Sequence, residues 1–286
     1  MVKKFLYRVF CGFFLGLSVV APGFSGSIIA IIMGIYQDIV RIAANPFKQL
    51  KQNIIFCIPL GIGGAISAVL FIIVFKALFE SYEKATYLLF VGLIIGNIPI
   101  IFAEIKKREF RWYYSIGIVC TFAAALALGL FAQGISQTGD TSVITAGMLI
   151  MILSGFAGGV TALIPGMSVS MVLILFGVYR ELIVMADGLL RLDFTYLIPF
   201  GVFCLSALAG LVLASNGIKF VFERFPGSAN SMVLGFMSGS LIGIFIQSLR
   251  LQDASFTWLL GGIMLATGLG ISMLFVVMGS KFNKDQ

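Results

Sequence analysis

The segment Ala21-Pro22-Gly23-Phe24-Ser25-Gly26-Ser27 leads on to Gly34-Ile35-Tyr36-Gln37-Asp38. Later, Ile164-Pro165-Gly166-Met167-Ser168-Val169-Ser170 leads on to Gly177-Val178-Tyr179-Arg180-Glu181. Pro22, Gly23, Ser25, Ser27, Gly34, Tyr36 and Asp38 each meet a counterpart 143 residues on, the last as Glu181. Both copies interrupt apolar sequence. In hydrocarbon every backbone N–H and C=O needs a partner within the protein, so irregular backbone survives only where it is buried or lines a polar cavity. Interrupted apolar segments at matching positions of two halves are the pattern of duplicated membrane transporters, and they point to the substrate site.

Composition puts the chain in lipid. Of 286 residues, 60% are hydrophobic and 11% charged, against about 25% charged in soluble domains, and the mean hydropathy is +1.09. Histidine is absent, and Cys11, Cys57, Cys120 and Cys204 stand singly in apolar runs. That spacing suits neither a metal site nor a disulfide framework, and it argues against zinc chemistry and His-based catalysis. The net charge of +7 has no soluble basic face to sit on, so a nucleic-acid partner is not expected. Lys3, Lys4 and Arg8 precede an apolar run with no small-residue cleavage site, so the N-terminus reads as the start of a first membrane segment.

Apolar runs predict ten segments, near 5–20, 24–40, 54–75, 86–103, 113–133, 144–164, 167–186, 196–217, 231–248 and 256–279. Gly92 and Gly96 recur as Gly235 and Gly239, and Ile58-Pro59-Leu60-Gly61 resembles Ile198-Pro199-Phe200-Gly201. The expected fold is an all-α integral membrane protein of two five-segment repeats, 1–140 and 141–286. Each opens on a broken or re-entrant hairpin, and an odd segment count inverts the second repeat. With the N-terminus inside, fourteen of the 19 basic residues fall in inside loops and five outside. Counting each broken pair as one crossing leaves nine inside and ten outside. The positive-inside rule therefore selects ten segments with both termini cytoplasmic.

A proline-glycine break followed by a helix start would leave free N–H groups facing a cavity, with Ser25, Ser27, Ser168 and Ser170 at or near the N-cap. A helix N-terminus with free donors is an anion site. The candidate binding residues are therefore Pro22, Gly23, Ser25, Gly26, Ser27, Pro165, Gly166, Ser168 and Ser170. Tyr36 and Tyr179 are candidates further along each copy. Arg41 is a candidate partner for a phosphate, and Asp38 and Glu181 are candidates for coupling to a proton or sodium ion. No cofactor and no metal is expected.

The Pro-Gly-x-Ser-Gly-Ser block with Gly-Ile-Tyr-x-Asp at 22–38, echoed at 165–181, resembles the bacterial polyprenyl-phosphate transporter family over nearly the whole chain. The resemblance implies a flippase that returns undecaprenyl phosphate from the outer to the cytoplasmic leaflet of the bacterial cytoplasmic membrane, recycling the carrier lipid of cell-wall synthesis. The implied partners are that lipid and the membrane around it. Two other readings stay open on sequence alone. One is a small-anion channel or exchanger with the same helix starts. The other, a polyprenyl-pyrophosphate phosphatase, lacks an acidic or histidine cluster beside either serine block.

Overall fold

A straight helix from Leu50 to Lys106 would reach about 85 Å, far beyond the roughly 30 Å of a bilayer's hydrocarbon core. The computed structural model describes residues 2–22, 26, 29–30, 33–44, 48–106, 112–135, 143–164, 166–251 and 256–282. In it the chain folds back at Tyr82, whose φ of −146° and ψ of 53° are not helical. Ring contacts fix the reversal: Phe75 and Phe90 lie 5.4 Å apart, and Phe79 and Tyr87 5.7 Å. In continuous helix Phe75 and Phe90 would be about 22 Å apart.

In chain order the helices are α1 (Val2–Val20), α2 (Tyr36–Ala44), α3 (Leu50–Lys106), α4 (Tyr113–Ile135) and α5 (Val143–Thr161). They continue as α6 (Val169–Leu175), α7 (Tyr179–Leu190), α8 (Leu197–Arg224), α9 (Pro226–Arg250) and α10 (Trp258–Phe282). No strand occurs among the described residues. Among the described residues five helices are long and apolar enough to cross a membrane, or six if the bent pair α6 and α7 is one span. The kinked α3 counts once there, yet its two arms, 50–81 and 83–106, each exceed the roughly 20 residues a crossing needs. Leu205, Leu208, Val212 and Leu213 of α8 are all exposed, a face that belongs against lipid rather than water. The chain is an all-α, multi-pass membrane protein.

Close backbone approach holds the helices, as expected where small residues replace the hydrophobic drive between them. A Cβ at Gly12 would collide with the Leu60 carbonyl, and one at Gly16 would lie 2.7 Å from that of Gly64. The same contacts recur 143 residues on. Gly155 packs on the Phe203 carbonyl, 2.6 Å from an added Cβ, and Gly159 on that of Ala207. The kink recurs too, since Phe225 has φ −131° and ψ 50° before Pro226 opens α9. This register corrects one sequence pairing: Pro59 and Pro199 differ by 140 and are not equivalent. Pro59 sits inside α3, and Pro199 in the first turn of α8, where a missing N–H costs nothing.

Residue numbers rise together in these contacts, so α1 runs parallel to the first arm of α3 and α5 parallel to α8. Gly92 and Gly96 of the second arm meet Leu265 and Ser272 of α10, while Gly235 and Gly239 of α9 meet Ile118 and Phe122 of α4. Those pairs are parallel as well. The end of α9 meets the start of the second arm of α3, where Gln247 Nε2 donates to the Tyr87 hydroxyl at 3.3 Å.

A backbone carbonyl cannot step aside as a side chain can. Gly159→Val is therefore expected to cost at least the roughly 1–3 kcal/mol of overpacking. Gly201→Ala, with open space around it, is expected to be neutral or to gain up to about 1 kcal/mol. Thermal unfolding of both variants in lipid nanodiscs checks the ranking.

Candidate functional site at the broken helices

Helix α5 stops at Thr161, and the chain turns through Gly166 at φ +85°. Of the predicted site residues, Gly23, Ser25, Ser27 and Pro165 lie outside the described residues. Ser168 stands at the N-cap of α6 with extended backbone (φ −113°, ψ 133°), but its side chain makes no capping hydrogen bond. That corrects the expected capping role. Its hydroxyl lies instead 3.3 Å from that of Ser170, which draws it away from the helix-start N–H groups. Ser168 is 5% exposed and Ser170 fully buried. The first N–H groups of a helix have no partner within it. The start of α6 thus gathers backbone donors and two buried hydroxyls in apolar surroundings. With only two turns behind it, α6 offers an anion its local donors more than a macrodipole.

The sequence reading treats 167–186 as one segment, and the structure divides it. Between Leu175 and Tyr179 the axis bends by 112°. Gly177, at φ +73°, ends α6 in a Schellman turn. The Val178 N–H donates to the Leu173 carbonyl at 3.1 Å and that of Gly177 to Ile174 at 2.9 Å. In the first copy Gly34 has φ +63°, and the Ile35 N–H donates to Ala30 at 2.9 Å. The expected segment 24–40 is therefore also broken, at Gly34. The motif glycine is a helix terminator in both halves, which a count of apolar residues does not register.

Tyr179 opens α7, is 4% exposed, and donates its hydroxyl to the Val20 carbonyl at 2.6 Å. Val20 ends α1, two residues before the fully buried Pro22. Leu17, Ala21 and Ile29 share one hydrophobic core with Met171, Ile174 and Leu175. The flanks of both breaks therefore meet inside the protein. Gly26 is half-buried beside the Ser18 hydroxyl. Tyr36, the counterpart of Tyr179, is 39% exposed.

The remaining candidates lie away from this core. Arg41 pairs with Asp38 at 2.8 Å on the exposed face of α2 and does not join Ser168. Asp38 and Glu181 sit in the first turns of α2 and α7, where an acid complements the helix N-terminus. One cluster escaped the sequence reading. Asp187 of α7 pairs with Lys76 of α3 at 2.5 Å and with Arg191 at 2.9 Å, tying the halves together. Both cations read as ordinary loop charges, and nothing in the sequence links them.

The fold and the site define a multi-pass helical membrane protein with a pair of short, sharply bent helices, the first of them buried. Residues 15–257 match the family model described as VCA0040-like, undecaprenyl phosphate translocase-like, and the chain belongs to that family. It is similar to the polyprenyl-phosphate transporter of Staphylococcus aureus (strain NCTC 8325 / PS 47), at 26% identity over 242 residues. The similarity covers 82% of this chain and 84% of that protein. No solved structure matches.

A left-handed backbone costs a non-glycine residue about 1–2 kcal/mol, less for Asn. Gly177→Ala is accordingly expected to lower stability by that amount, and Gly177→Asn by less. Denaturant unfolding in nanodiscs reads both. Equal losses would mean that the residue's conformation is not what ends α6.

Proposed function

We propose that the chain is a flippase for a polyprenyl phosphate, carrying undecaprenyl phosphate from the outer to the cytoplasmic leaflet of a bacterial cytoplasmic membrane for reuse. A phosphate head cannot cross about 30 Å of hydrocarbon unaided, whereas its isoprenoid chain is at home there. The protein then needs only to shelter the head. The observation that carries this reading is the pair of buried hydroxyls, Ser168 and Ser170, at the start of a broken helix. They occur in a chain whose family is described by undecaprenyl phosphate translocation and whose relative is named for polyprenyl phosphate.

In this reading residues 1–140 and 141–286 are inverted copies with both termini cytoplasmic. The contacts that recur at an offset of 143 support the duplication, and the meeting of the end of α9 with the start of its counterpart, the second arm of α3, is the contact expected of an inverted pair. The phosphate is held by the helix starts after Pro22-Gly23 and Pro165-Gly166, through Ser25, Gly26, Ser27, Ser168, Ser170 and their N–H groups. The protein binds and releases the lipid without cleaving it.

Proteoliposomes carrying a fluorescent polyprenyl phosphate test this. Wild type should move the lipid between leaflets. Gly166→Pro should abolish movement by removing an N–H and a left-handed turn. Ser168→Ala should slow it by the equivalent of about 1 kcal/mol, the net worth of one hydrogen bond. Arg41→Ala should leave most of it. Chloride flux without lipid movement would replace this reading with an anion channel.

A further inference from the structure

The two halves differ most where they should be most alike. A cavity of about 460 Å³ lies between α4, α5, α6, α8 and α9, within the range of small-ligand sites. Its inner wall includes Val172, Ala229 and Val233, each less than 5% exposed, and its rim Phe156, Val221 and Met232, each 37–43% exposed. The mouth therefore opens sideways, toward lipid. Thr121 and Thr161 line it too, but both hydroxyls donate to backbone carbonyls, of Met232 and Ala157. That leaves the wall apolar. Met167, the residue before Ser168, also borders the cavity.

Shifted by 143 residues, the corresponding region of the first half is closed with rings. Phe14, Phe75 and Phe90 stand where the cavity has Ala157, Ile218 and Val233. Phe90 packs edge-on against Phe75 at 5.4 Å, Phe79 at 5.9 Å and Tyr179 at 5.6 Å. The difference is written in the sequence, so rearranging the helices does not exchange the two regions.

We infer that the cavity is a seat for the isoprenoid units nearest the phosphate, built into the second half alone. This rests on the polyprenyl-phosphate reading above. A single apolar chain entering from the side would follow the cavity wall inward and bring its head to the buried hydroxyls of Ser168 and Ser170. The occupant is then a one-chain lipid phosphate. The two-chain lipids around it meet an opening lined for one chain.

Two experiments test the seat. In the first, wild-type protein is photolabelled with a polyprenyl phosphate bearing a diazirine in its first isoprene units, and in parallel with a diazirine-acyl phosphatidylglycerol. The prenyl probe should mark residues 156–172 and 218–236, with unlabelled polyprenyl phosphate competing and phosphatidylglycerol not. Equal marking by both probes without competition would make the cavity an ordinary lipid groove and overturn the inference. So would competable marking confined to other segments. No competable marking anywhere, with no lipid movement by wild type, would fail the function itself.

In the second, Val233→Phe and Ala157→Phe install the first-half residues. A single methylene misfit in an apolar pocket already costs about tenfold, so each should lower lipid movement by at least that factor at equal expression. Leu208→Phe, on the lipid-exposed face of α8, should not. Unchanged movement in both cavity variants would overturn the seat while leaving the transport reading intact.

Discussion

Everything in this fold answers to the requirement that backbone groups find partners away from water. A break inside the membrane frees several at once, so breaks survive only where the protein supplies substitutes. Here the substitutes are visible. At Gly177 the chain closes α6 by folding N–H groups back onto carbonyls, at Gly34 the Ile35 N–H returns to the Ala30 carbonyl, and the Tyr179 hydroxyl supplies a donor to the carbonyl that ends α1. At the start of α6 the buried hydroxyls of Ser168 and Ser170 lie 3.3 Å from each other. In the proposed reading an arriving phosphate would exchange this serine–serine contact for its own hydrogen bonds, so the break would carry function as well as a kink.

Duplication explains the frame, and divergence explains the work. The parallel packing of α1 on α3 and of α5 on α8 repeats residue for residue, since contact between backbones leaves no room for a side chain to change. Side chains facing inward are freer. They became rings around Tyr179 in one half and small aliphatic groups around a cavity in the other. Tyr179 is buried and bonded, while Tyr36 is exposed. The two halves thus present different inner faces, which under the proposed function would let the protein meet its lipid differently on its two sides.

Much of this was legible in the sequence, for identifiable reasons. Membrane segments are long apolar runs, so nearly every crossing helix follows from hydropathy. The repeat follows from seven matched positions around Pro22 and Pro165. The turn at Gly177 did not follow, because a helix-ending glycine looks like any other among 33 until its φ is known. Ser168 was placed correctly at a helix start, but its partner was not, since Ser170 and a backbone N–H compete for the same hydroxyl. The ion cluster of Lys76, Asp187 and Arg191 joins residues more than a hundred positions apart, and no local pattern encodes that. The cavity was hidden too, because it depends on which of two equivalent positions carries the smaller side chain.

The central claim is that the halves are inserted in opposite senses, so that their breaks meet. Tyr82 and Phe225 test it most directly: they are equivalent kinks, 143 residues apart, with 41% and 53% of their surface exposed. Each is replaced by cysteine in a background without the native cysteines and treated in whole cells with a membrane-impermeant thiol reagent. Inverted halves predict labelling of Tyr82→Cys from outside and of Phe225→Cys only after the membrane is opened. Labelling of both from the same side would contradict the account.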